Sequence, residues 1–347
     1  MQRQFRQFSV ASHLSVRLAV AVGVFGLVAS IPYVAVTHGQ DEVPVSTQQT
    51  PLSGVTSLTQ NPLQIALLHW YNANLTTSFK VGNFPSSAAF DGANIWVASY
   101  SASTVTKLRA SDGTVLGTFT VGPSPIFLAF DGANIWTANN GDNSVTKLRA
   151  RDGAVLGTFT VGSRPGCVAF DGKNIWVSNF NSNNVTKLRA SDGTVLGTFT
   201  VGTNPTGVAS DGTNIWAANQ GSNNVTKLAS SGTVLGTFPV GSGPGDLAFD
   251  GANMWVVNGL SNNVTKLRAS DGTVLGTFSV GNRPYDVAFD GANIWVANFN
   301  SNTVTKLRAS DGAILGNFAV GTSPQSVAFD GANIWVVNAG SNTVSKL

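Results

Sequence analysis

From residue 74 onward, hydrophobic and polar positions fall into short runs, broken every few residues by Gly, Asp, Asn, Ser or Pro. Residues 284–320 show the pattern in full. VAFDG (287–291) is an apolar run ending in Asp-Gly, a hairpin signal because Gly accepts the φ > 0 that tight turns demand. NIWVAN (293–298) alternates, placing Ile294 and Val296 on one face and Trp295 and Ala297 on the other. A polar turn at 299–302 leads to TVTKLRA (303–309), which alternates again. Ser310, Asp311 and Gly312 then turn the chain into AILGNFAVG (313–321), and a Gly-x-x-Pro bend leads out. Four runs of this kind predict four antiparallel strands joined by hairpins. Apolar side chains on both faces predict a sheet sandwiched between neighbours. So much Gly, Pro, Val, Thr and Ile excludes a helical repeat.

The unit recurs. DGANIW begins at Asp91, Asp131, Asp290 and Asp330, and its variants DGKNIW, DGTNIW and DGANMW begin at Asp171, Asp211 and Asp250. Successive starts are 40, 40, 40, 39, 40 and 40 residues apart. Four strands in about 40 residues is the signature of a propeller blade. The last repeat stops at SNTVSKL (341–347), one strand short, while TSFKVG (77–82) matches the fourth strand GTFTVG at 117–122. The prediction is an all-β fold, a seven-bladed β-propeller over residues 74–347 with four antiparallel strands per blade. The N-terminal strand completes the last blade, which also hides strand edges. In the Asp-Gly-x-Asn turn, Asp is expected to cap, Gly to take φ > 0, and Asn to support a left-handed residue or to hydrogen-bond locally. The Trp is expected to fill the space between blades. These roles make the seven carboxylates structural rather than a ring of cation sites.

The first 73 residues read differently. Arg3, Arg6 and Arg17 precede the apolar run 18–27, and Val28, Ala29 and Ser30 offer a cleavage site. Residues 1–36 are therefore expected to be a signal peptide or a membrane anchor, anchorage running through residues 18–36. Residues 37–60 read as a polar linker. Residues 61–73 are expected to form a short helix packing on the propeller, with Pro62 in its first turn.

Composition adds exclusions. Charged residues are 11% and hydrophobic residues 42%, with 38 Gly, which describes a well-buried, turn-rich protein. The formal net charge of +3 falls close to zero without the three N-terminal arginines, so there is no case for nucleic acid. Cys167 is the single cysteine, so no intramolecular disulfide forms. Residues 77–347 contain neither His nor Glu. Cys167 therefore has no imidazole to activate it and is expected to be a buried filler.

The pattern VG-x-x-P…VAFDG…IWVAN…SN-x-V-x-K-L resembles the YVTN-type bacterial β-propeller repeats, and more loosely the NHL-type and streptogramin-lyase-like propellers. The resemblance implies the propeller architecture and an exported or surface-associated protein, and assigns no particular chemistry. Streptogramin-lyase-like chemistry implies a divalent metal with a histidine acid–base pair, but His13, His38 and His69 all precede the ring. Lactonase-like chemistry implies acids and amides around a metal, of which Asp246, Asp286 and Asn204 offer a thin version.

Blades compared with one another show where chemistry is free to sit. Phe84, Ser124, Arg164, Asn204, Gly243, Arg283 and Ser323 precede the bend proline, and Ser87, Phe127, Cys167, Gly207, Asp246, Asp286 and Ser326 lie two residues after it. Tyr100, Asn140, Phe180, Gln220, Gly259, Phe299 and Ala339 follow the second strand. The interblade and second-to-third-strand loops open on one face, so these variable columns predict a ligand face there. Asp142, Asp246 and Asp286 are the only ring acids outside the repeated turns, and all three map to that face. Asp246 and Asp286, with Arg283 and Tyr285 beside them, would form either a paired-carboxylate metal site or a polar rim with an Arg–Asp pair. Tyr100, Phe180 and Phe299 would stack on sugars or grip a partner's side chains, with Arg164 and Asn204 nearby. The expected function is an extracytoplasmic, monomeric, non-catalytic binding module for a protein or glycan, without a cofactor. The alternatives are a metal-dependent lyase or hydrolase on the same face and a structural surface protein.

Overall fold

The structure is a computed structural model that describes residues 77–347; the expected leader or anchor (1–36), linker (37–60) and short helix (61–73) lie outside the described residues. The described chain forms seven four-stranded antiparallel sheets. In the first blade β2 (Pro85–Phe90), β3 (Asn94–Ser99), β4 (Thr104–Arg109) and β5 (Val115–Thr120) pair in sequence order. The seventh sheet runs from β1 (Ser78–Lys80) through Thr343–Lys346 and Ile334–Asn338 to Pro324–Phe329, so the N-terminal strand closes the ring as expected. The first strand of each blade contacts the first strands of both neighbours, which places it innermost. Among the described residues no helix is long and apolar enough to cross a membrane.

The repeated hexapeptide supplies the mortar. In the fourth blade the Asp211 carboxylate accepts from the backbone N–H of Thr213 and Asn214 at 2.9 and 2.6 Å, from Asn214 Nδ2, and from Trp216 Nε1 at 2.9 Å. Gly212 takes φ +87°. Of the two roles expected for the turn Asn, local hydrogen bonding is the one observed. All seven turn aspartates are engaged in this way, and nothing is left over for a ring of cations. Burial opposes the charge on Asp91, Asp171 and Asp211, yet the Trp and Asn donors outweigh it and hold these carboxyls below their ordinary range.

Each Trp is nearly or fully buried and tilts against the Phe of its own outer strand, Trp96 on Phe119 at 5.5 Å and Trp335 on Phe79 at 5.5 Å. The latter pair shows that β1 fills the same role in the last blade as a local strand does elsewhere. A Lys of the third strand lies over each Trp ring, Lys107 over Trp96 at 5.0 Å. In every blade but the sixth, whose Lys306 makes no such bond among the described residues, its ammonium donates to a carbonyl of the next blade, Lys107 Nζ to Ala150 O at 2.7 Å and Lys346 Nζ to Ala110 O at 2.8 Å. A cation held on an indole and tied to the neighbouring carbonyl thus latches blade to blade.

One boundary differs from the sequence reading. The innermost strand of the sixth blade is Pro284–Phe289, three residues earlier than the apolar run that begins at Val287. Pro284 pairs with Asn298, and a register shift before Asp286 frees the intervening residue from regular pairing. A proline is tolerated as the first residue of a strand, and a bulge re-aims the side chains beside it. That irregularity turns the residues after the proline toward the centre of the ring.

Candidate ligand pocket at the mouth of the ring

The loops of the variable face are held by a repeated device. The residue before each bend proline has φ near +55°, as in Arg164 (φ 57°) and Arg283 (φ 53°). In every blade but the second, where the matching position is Ser103, its N–H is fixed by a left-handed Asn of the preceding blade: Arg164 N–H donates to Asn143 Oδ1 and Arg283 N–H to Asn262 Oδ1, both at 2.8 Å. Its carbonyl accepts from the residue after the second strand, Phe180 N–H to Arg164 O and Phe299 N–H to Arg283 O at 3.0 Å. The two variable columns therefore stand side by side on a constant frame. Only their side chains change from blade to blade.

Those side chains enclose one cavity of about 350 Å³ at the mouth of the ring. Arg164, Arg283, Tyr100, Phe180, Tyr285 and Asp246 are among its walls. It is open where bulk is missing: Gly166, Gly207, Gly243, Gly245 and Gly259 all line it. Gly207 is required by the close approach of inner strands, since a Cβ there would overlap the Gly245 carbonyl. The sequence reading named Gly207, Gly243 and Gly259 as variable without seeing that their emptiness makes the pocket. It also missed Ile126, Gly166, Thr206 and Gly245, which immediately follow the proline. That position varies as freely as its neighbours, so the signal was present.

The other predicted residues distribute as follows. Phe180 lies beneath the Arg164 guanidinium at 5.3 Å, and Phe299 beneath that of Arg283 at 5.2 Å and 6.1 Å from Tyr285. Tyr100 meets Phe84 edge-on at 6.0 Å. Asn204 turns its Nδ2 to Phe180 O at 3.2 Å, bracing the rim. Asp142 is exposed and accepts from Ser144 Oγ at 2.6 Å, outside the pocket wall. The expected Arg–Asp pair does not form: neither Arg283 nor Arg164 has a carboxylate within 4.0 Å among the described residues.

Beneath the pocket sit two carboxyls. Asp246 is reached from the cavity, and Asp286 is 4% exposed behind it. Asp286 accepts from Val287 N–H at 2.7 Å and, across the blade boundary, from Val327 N–H at 2.9 Å. Burial, then the charge of Asp286, pushes Asp246 well above the usual carboxyl range. Burial also raises Asp286, against the pull of hydrogen bonds from Asp246, Ser326 and the two amides. Both carboxyls are thus biased toward their protonated forms. Cys167 is buried 3.9 Å from Asp246 Oδ1, and burial and that carboxyl push its thiol well up, which makes it a filler and not a nucleophile. For a divalent ion the donor set is poor. Each Asp286 oxygen already accepts a backbone amide, and no three acidic, Cys or His side chains among the described residues are placed to share an ion. Hard cations seek six or more oxygens or a rigid octahedron.

No protein-family model matches the chain, and no curated protein sequence matches it. Solved structures do. The chain is similar to hydrazine synthase from Kuenenia stuttgartiensis at 19% identity and TM-score 0.68, covering 77% of this chain and 97% of that one. It is similar to a streptogramin B lyase at 19% identity and TM-score 0.67, covering 78% and 95%. It is also similar to a catalytically inactive histidine-to-alanine variant of virginiamycin B lyase from Staphylococcus aureus with quinupristin, at 18% identity and TM-score 0.67, covering 78% and 97%. At such identities the likeness is one of fold: seven blades of four antiparallel strands, with streptogramin-B-lyase-like propellers among the neighbours.

Proposed function

We propose that the protein is an exported, YVTN-type propeller that binds a ligand without transforming it, in the pocket at the mouth of the ring. The observation that carries this reading is the contrast between frame and pocket. The scaffold repeats with near-identical hydrogen bonds in each blade, whereas the pocket wall gathers the residues that differ. Proteins commonly place recognition on variable loops over a rigid scaffold. Export is supported by the arginines and apolar run of residues 1–36. A glycan or a protein's projecting side chain suits an aromatic-edged cavity of about 350 Å³.

The second reading is a metal-dependent lyase, which the lyase neighbours favour. Loss of catalysis in the histidine-to-alanine neighbour links that enzyme's activity to an imidazole, and the ring of this chain has none. The binding reading needs no imidazole and is preferred for that reason.

Thermal melts of the full chain against sets of glycans, peptides and small metabolites test it. A ligand at a hundred times its dissociation constant adds about 2.7 kcal/mol, a readable shift. The shift is expected to vanish in Gly259→Phe, which fills the pocket with the residue that the same column carries at Phe180 and Phe299. Shifts that survive Gly259→Phe would place binding elsewhere and sink the reading. In a parallel series with chelator, Ca²⁺, Mg²⁺ or Mn²⁺, no shift is expected; a rise abolished by Asp246→Asn would favour the lyase.

A further inference from the structure

We propose that the pocket takes a small organic oxyanion, a carboxylate or phosphate on a compact apolar body, with Arg164 and Arg283 as the two charge-binding side chains. This rests on the pocket being the binding site and names the chemistry it selects.

The described chain holds eight arginines. Six of them, Arg109, Arg149, Arg151, Arg189, Arg268 and Arg308, reach a hairpin aspartate within 4.0 Å. Arg164 and Arg283 are the two without a carboxylate partner among the described residues, and both line the one cavity. Neither guanidinium donates a hydrogen bond to any described residue, although each carries five donors. Solvent-exposed arginines often lack partners, so position matters more than absence. The two are built alike: left-handed backbone, amide held at 2.8 Å by an Asn, and guanidinium stacked on a Phe at 5.3 and 5.2 Å. A ring face against the guanidinium leaves its N–H donors available to grip a carboxylate or phosphate through two parallel N–H···O bonds.

The sequence shows the same pairing. Arg before the proline occurs in two blades, and Phe after the second strand occurs in the same two. In the other blades the columns carry Phe84 with Tyr100, Ser124 with Asn140, Asn204 with Gln220, Gly243 with Gly259, and Ser323 with Ala339. The Arg–Phe pair is thus one device used twice, on the third and sixth blades. The blades between supply the glycines and the space.

Tyr285 lines the same cavity as both arginines, which ties the two sides to one site. Burial raises its phenol, Asp286 and Asp246 add to the rise, and the charges of Arg283 and Arg164 work against it. Below, Asp246 is the one carboxyl in the cavity wall among the described residues, against two guanidiniums. The walls then combine net positive charge with Tyr100, Ile126, Phe127 and Leu260, which suit an apolar body. A neutral sugar would use the aromatic edges and leave the cations idle. An organic cation would meet two like charges.

The test is ligand-observed NMR on the full chain with benzoate, phenyl phosphate, benzamide and benzylamine, four probes of similar shape and different charge. Benzoate and phenyl phosphate are expected to bind. Affinity should fall about tenfold in each of Arg164→Gln and Arg283→Gln and disappear in the double variant, as expected for loss of a charge-assisted pair. Gln preserves the stem and the left-handed strain, and unchanged melts confirm folding. Equal binding of benzamide and benzoate, or anion binding indifferent to both substitutions, overturns the proposal. Binding of benzamide or benzylamine alone, blocked by Gly259→Phe, overturns the oxyanion and leaves the pocket as a binding site. Silence from all four probes overturns the oxyanion, while the broader ligand screen still decides the binding reading.

Discussion

Asp211→Ala isolates the interaction that repeats seven times. Trp216 is fully buried, and its Nε1–H has the Asp211 carboxylate as its acceptor at 2.9 Å. Removing the carboxylate strands that donor in an apolar layer, at about 1–3 kcal/mol for an unsatisfied buried group. The amides of Thr213 and Asn214 also lose their acceptor, but they lie in a turn that water reaches, so their share is about 0.5–1.5 kcal/mol together. The expected destabilisation is about 2–4 kcal/mol, measured by urea denaturation followed by tryptophan fluorescence. Asp192→Ala is the control: its carboxylate serves Arg189 and the Thr194 amide on the surface, and its loss should move the midpoint much less. Trp216→Phe removes the donor, so the cycle of Asp211→Ala with Trp216→Phe should show coupling of about 1–3 kcal/mol. An additive cycle, or a midpoint shift no larger than that of Asp192→Ala, would refute the assignment of Asp211 to the buried indole.

Two further outcomes follow from the same geometry. The carboxyls of Asp246 and Asp286 bind protons more tightly in the folded state than the ordinary carboxyl value of 3.8. Their contribution is present below that value and is lost as pH rises toward the raised folded values. Asp246→Asn should therefore melt higher than the parent above neutral pH, with the gap closing as pH falls toward 4; a constant gap across that range would contradict the raised carboxyl. Lys227 Nζ bonds the carbonyls of Ala269 at 2.6 Å and Ser270 at 3.2 Å, whereas Lys306 rests on Trp295 at 4.6 Å without such a bond among the described residues. Lys227→Met should cost about 1–3 kcal/mol in urea denaturation and Lys306→Met less, and equal losses would remove the carbonyl latch from the account.

Position by position, repetition made much of the molecule readable. A strand that appears seven times with Trp in one place and Val in another needs no tertiary information to be recognised. The shared last blade was readable for the same reason, because residues 77–82 match a strand the other repeats possess. The start of the inner strand was not readable: Pro284 argues against pairing by its missing donor, and only the bulge before Asp286 reconciles the two. The pocket was half readable. Columns that differ between blades pointed to Arg164, Phe180, Asp246 and Arg283, and Tyr285 was named as the neighbour of Asp286; all of them line or support it. Asp142 was assigned to the same face, but it accepts from Ser144 Oγ and is not part of the pocket wall.

The sequence by itself determined the number of blades, the strand order within each, the closing role of the N-terminal strand, and the face on which variation gathers. All of these follow from local chemistry repeated at a fixed period, where strand propensity, turn residues and side-chain alternation agree. Tertiary structure alone decided which side chains share charge and space. Asp246 and Asp286 are 40 residues apart along the chain, and Arg164 and Arg283 are 119 apart. Whether such groups meet, pair or face one cavity depends on the close approach of inner strands, which the glycines permit and the ring enforces.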